Sequence, residues 1–110
     1  MLSRNINFWY GSTITDPYAP LFVSAYHNTF VSIEPILAPF GTPDYPKAEW
    51  ADWVIMGAET GNRTGKAVPK RSWIEDAVKL FQESNIPVFM KDSMKPIWGE
   101  DILTEFPWID

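Results

Sequence analysis

The chain has 110 residues, 45% hydrophobic and 21% charged, which is a globular balance sufficient for one domain over 1–110. Nine basic against fourteen acidic residues give a net charge of −5, which argues against a basic surface for duplex nucleic acid. There is no cysteine, so disulfides, thiolate zinc sites, a cysteine nucleophile and a cysteine-ligated iron–sulfur cluster are excluded on this chain. A single histidine, His27, excludes a histidine-rich metal site. The start, Met1-Leu2-Ser3-Arg4-Asn5, lacks the apolar run of a signal peptide, and no stretch approaches the ~18 apolar residues of a membrane span. The expectation is a cytoplasmic protein away from the membrane.

Four segments read as strands in chain order. Asn7 to Thr15 is aromatic and β-branched and stops at Asp16-Pro17. A short helix is expected from about Tyr18 to His27. Thr29 to Glu34 is a second strand, stopped by Pro35. Five Pro and Gly residues (Pro35, Pro39, Gly41, Pro43, Pro46) then predict an irregular connection. Asp52 to Gly57 is the third strand and Ile86 to Lys91 the fourth, with Pro87 near its start, where a missing donor is tolerable.

Between the last two strands the sequence specifies a helix. Ser72 and Glu75 have capping-box spacing. Ile74, Ala77, Val78 and Phe81 recur at i, i+3, i+4 and i+7 as one apolar stripe. Glu75 and Lys79 are spaced as an i, i+4 pair, Asn85 suits the C-terminal cap, and Pro87 prevents continuation. The tail from Lys95 to Asp110 carries Ile97, Trp98, Leu103, Phe106 and Trp108, which predicts a docked tail with one helical turn.

Strands alternating with helices argue for parallel pairing through right-handed crossovers. In such sheets ligands bind beyond the carboxyl ends of the strands. There stand Thr13, Thr15 and Asp16; Ser32 and Glu34; Gly57, Glu59 and Arg63; and Lys91, Asp92 and Ser93. Alternation puts Phe30, Ser32 and Glu34 on one face and Val31 and Ile33 on the other, toward helices. Glu34, inside an otherwise apolar segment, is the foremost candidate, either as a functional carboxylate or as half of an ion pair with Lys91 or Arg63. Lys91 and Asp92 read either as an acid–base pair or as a solvated strand end. Gly57 permits either a close approach or a tight turn. The run Gly61 to Ala67 departs from a phosphate-binding loop, because three residues instead of four lie between its glycines and Ala67 follows Lys66.

The segments FVSIEPILAPF (30–40), DWVIMGAETGNR (52–63) and IPVFMKDS (86–93), in this order, resemble the phage gene product 37/68 family. The family has no assigned function and looks like radical S-adenosylmethionine proteins with a partial (β/α) barrel. The resemblance implies that the chain matches the C-terminal half, from about Asn7 to Trp108. The family's S-adenosylmethionine and [4Fe–4S] cluster are implied for the full-length members only, whose three-cysteine motif has no counterpart here. It further implies cofactor contacts at Ser32, Glu34, Ile55 and Gly57. Against the pattern G-x-I-x-G-x-x-E, Trp53 replaces the first glycine and Glu59 falls one place early, with Thr60 at the acidic position.

The expected fold is therefore α/β, with four mainly parallel strands and outer helices, half of a (β/α) barrel of the TIM type. Phe8, Tyr10, Phe30, Val54 and Met56 are expected on its uncovered inner face, subject to register. Open edges and an apolar face predict a homodimer, or association with a missing N-terminal half. Alternatively, Trp98, Phe106 and Trp108 cap the opening. Three functions stand open: a truncated or split radical S-adenosylmethionine-like protein, inactive alone; a non-catalytic phage-derived interaction module; and a small hydrolase or lyase using Glu34, Glu59 and Lys91.

Overall fold

The computed structural model describes residues 9–15, 28–39, 51–59 and 68–107. Its elements are β1 (Trp9–Ile14), β2 (Asn28–Ile33), β3 (Trp53–Met56), α1 (Arg71–Glu83), β4 (Val88–Met90), a 3₁₀ turn (Asp92–Met94) and α2 (Lys95–Trp98). The four strands form one sheet in the order β1-β2-β3-β4, and each pairing is parallel. The chain is thus mixed α/β with a sequentially ordered parallel sheet. The predicted helix near 18–27, most of the proline-rich connection, and Phe8, Asp16, Arg63 and Trp108 lie outside the described residues.

Register explains which side chains reach the core. Val31, Val54 and Val88 are neighbours across the sheet, as are Ile14, Ile33, Met56 and Met90. All seven are buried in one cluster with Ile74, Ala77, Val78 and Phe81, the apolar stripe of α1. Burying each large side chain of this set contributes roughly 1.5–3 kcal/mol. Val54 and Met56 therefore face the helix and not the inner face expected for them. Trp53 and Ile55, one position displaced, point the other way. Tyr10 shares the parity of Ile14 and so also lies on the helix side, whereas Phe30 lies on the face opposite α1, its ring across Gly11 in the place a Cβ would take.

The helix begins two residues earlier than the capping box requires. Lys70 is the N-cap, without a side-chain cap, so Ser72 is already within the first turn. Glu75 is drawn instead to Arg71, whose Nε donates to its Oε1 at 2.7 Å. The other end follows the sequence. Ile86 N–H donates to Phe81 O at 2.9 Å and Asn85 N–H to Gln82 O at 3.1 Å, a Schellman arrangement with Asn85 at φ 59°.

The tail contains the expected helical turn, α2, with Pro96 in its first positions. Arg71 fastens it: Nη1 donates to Ile97 O at 2.9 Å and Trp98 O at 2.7 Å, and the guanidinium stacks on the Trp98 ring at 4.9 Å. Trp98 thus packs beside the helix and does not cap the inner face. Beyond α2 the chain runs antiparallel along the free edge of β4, bridging Phe89 and Thr104.

Candidate functional site

One hydrogen-bonding step repeats across the sheet and builds the site. Glu34 N–H donates to Ile14 O of β1, Gly57 N–H to Ile33 O of β2, and Lys91 N–H to Met56 O of β3, at 3.2, 3.1 and 2.9 Å. Glu34, Gly57 and Lys91 therefore stand in a row just past the carboxyl ends of β2, β3 and β4. They share the parity of Ser32, Ile55 and Phe89, the face opposite α1.

The row is joined by charge. Lys91 Nζ donates to both Glu34 oxygens, Oε2 at 2.9 Å and Oε1 at 3.0 Å, and Ser32 Oγ donates to Oε2 at 3.2 Å. The side chains of Lys91 and Glu34 keep 48% and 30% of their exposure, so the pair is reachable from solvent. Gly57 makes room for it: a Cβ there would stand 2.8 Å from Glu34 Oε1 and 2.9 Å from its Cδ. The close approach allowed by Gly57 is made by the protein's own carboxylate.

Of the residues singled out in the sequence, Ser32, Glu34, Gly57 and Lys91 come together. Ile55 lies beside Ser32 in the register, half-buried. Glu59, half-buried, follows Gly57 by two residues at the same end of the sheet. Lys91 and Asp92 do not pair: Lys91 turns to Glu34, while the Asp92 side chain is 89% exposed, with Lys95 at 3.7 Å. Ser93 was singled out only as part of the strand end, yet its Oγ accepts the Ala58 N–H at 3.0 Å and fixes the chain leaving β3. Asp52 went unnoticed because it matters only across strands: its Oδ2 accepts the Thr29 N–H at 2.9 Å.

Below this polar row the same face is aromatic. Trp53 meets Trp9, Phe106 and Phe89 at ring-centroid distances of 5.9, 5.8 and 6.1 Å. At the amino end of β4 a shallow cavity of 490 Å³ is lined by Gln82, Asn85, Ile86, Pro87, Glu105 and Phe106. It lies at the far end of the sheet from Glu34 and Lys91.

A [4Fe–4S] cluster does not fit this chain, which supplies no thiolate. Among the described residues no group of three or more His, Asp or Glu is placed to hold a metal ion. Also among them, no helix is long and apolar enough to cross a membrane. A nucleoside fits in part. Ser32, Glu34 and Lys91 offer the donors and acceptors that ribose hydroxyls require, but the approach over Gly57 is filled by Glu34. Comparison with protein-family models, curated proteins and solved structures gave no match.

Proposed function

We propose that the chain is the cofactor-side segment of a radical S-adenosylmethionine-like (β/α) barrel, which binds the nucleoside part of its ligand weakly and performs no radical chemistry by itself. The observation that carries this reading is the Ser32–Glu34–Lys91 set. It stands past the carboxyl ends of parallel strands, on the face opposite the helix, where α/β barrels bind ligands. Sequential strand order suits an arc of such a barrel. Ribose hydroxyls would donate to Glu34 and accept from Lys91, dividing the ion pair between them. The cluster that supplies radical chemistry to the family belongs to another polypeptide segment, which would also cover the aromatic inner face.

A second reading, a non-catalytic interaction module, is favoured by the aromatic surface of Trp9, Trp53 and Phe89 on that inner face. No specific observation favours the hydrolase or lyase reading. Calorimetric titration with S-adenosylmethionine and with adenosine separates the first two. Weak binding, on the order of −4 to −5.5 kcal/mol, is expected and should be lost in Glu34→Ala. Absence of both heat and thermal protection for either ligand would reject the cofactor reading in favour of the module. Co-expression with a polypeptide bearing C-x-x-x-C-x-x-C, followed by iron–sulfur absorbance, tests whether a cluster-bearing segment pairs with this chain.

A further inference from the structure

A parallel sheet ending in a bare edge strand presents unpaired N–H and C=O groups to any other chain. The edge of β4 is not bare. Met90 N–H donates to Leu103 O at 2.7 Å, and Glu105 N–H donates to Val88 O at 3.0 Å. The remaining outward donor, Val88 N–H, is met by the side chain of Glu105, whose Oε1 accepts it at 2.9 Å. Glu105 thus closes the ladder twice, once through its backbone and once through its carboxylate. Its carbonyl also accepts Trp53 Nε1–H at 2.9 Å, which ties the segment over the face of the sheet. Phe106 completes the attachment with its ring 5.3 Å from Phe89 and 5.8 Å from Trp53.

We infer that residues 102–106 are a strap that guards the edge of β4, and that releasing it makes the chain pair edge to edge with other copies. At its start Ile102 and Leu103 pack, half-buried, against the core, but its outer part, 104–106, is exposed and anchored by hydrogen bonds and the Phe106 ring, while the sheet beneath is held by the buried core. The strap can therefore open while the sheet persists. Sheet growth, by a second copy or by another barrel segment, is directed away from β4 while it is shut. The inference does not depend on what the polar row binds.

Amide exchange followed by NMR tests it, with Lys91 as internal control because its N–H faces β3. In the unmodified chain Val88 and Met90 should be protected as Lys91 is; unprotected Val88 and Met90 beside a slow Lys91 would show the strap unseated and end the inference. Glu105→Pro removes both the N–H and the carboxylate, and should speed exchange at Val88 and Met90 by about tenfold or more with Lys91 unchanged. The same variant should show association rising with concentration in sedimentation velocity, beyond that of the unmodified chain. Glu105→Gln keeps an acceptor for Val88 and should behave as the unmodified chain. If Glu105→Pro frees both amides and sediments unchanged, the guarding role is overturned. Should that variant unfold, with Lys91 accelerated too, Phe106→Ser loosens the same strap without altering the backbone, and the same two outcomes decide.

Discussion

The side chain of Glu34 lies over the Cα of Gly57, in the volume that any larger residue's Cβ would occupy. The glycine and the carboxylate follow different strands and are 23 positions apart in sequence, yet neither position makes sense without the other. The glycine leaves the space, the carboxylate fills it, and Lys91 from the next strand neutralises the charge brought there.

Gly57→Ala should therefore act through Glu34. The added methyl would stand 2.8 Å from Oε1, so the carboxylate must swing away and leave Lys91. A cost of about 1 kcal/mol or less in chemical denaturation is expected, because the group displaced is the end of a flexible, partly exposed side chain. In a Glu34→Ala background the same change should cost clearly less. Equal costs in both backgrounds would show that Gly57 serves its own backbone.

The Glu34–Lys91 pair contributes little stability. Both side chains keep substantial exposure, so solvent screens their attraction. A double-mutant cycle with Glu34→Gln and Lys91→Met should give a coupling of about 1 kcal/mol or less, shrinking with added salt. A coupling of several kcal/mol that ignores salt would identify a structural pair instead.

Asn85 holds φ at 59°, the left-handed region that ends α1. Asn85→Gly should be neutral or slightly stabilising. Asn85→Ala should cost about 1–2 kcal/mol, since a Cβ is strained in that conformation. Urea unfolding midpoints of the two variants check the order.

Arg71 joins α1 to the tail through two carbonyls and a stacked ring. Arg71→Lys loses the planar fork and should fail to restore either. Both Arg71→Ala and Arg71→Lys should lower stability by roughly 1–2 kcal/mol and shift the tryptophan emission of the tail. A lysine variant indistinguishable from the unmodified chain would reduce the contact to simple charge.

Local pattern was enough for the strands, the helix and the docked tail. Period-two alternation in Thr29–Glu34, the stripe Ile74–Phe81 and the turn chemistry of Asn85 are properties of neighbouring residues. Hydrophobic burial and backbone sterics read them without outside help. That Glu34 was either a functional carboxylate or half of an ion pair also followed locally, because an unpaired carboxylate there is costly. What local pattern could not set was register. Which of Trp53, Val54, Ile55 and Met56 faced the helix depended on how β3 lay against β2, and a shift of one residue exchanges the two faces. The choice of Lys91 as partner, the filling of Gly57's space, the start of α1 at Arg71 and the closure of β4 by Glu105 are relations between distant segments. They arise only when the folded backbone brings those segments within hydrogen-bonding distance, which for charged and polar groups is about 3 Å.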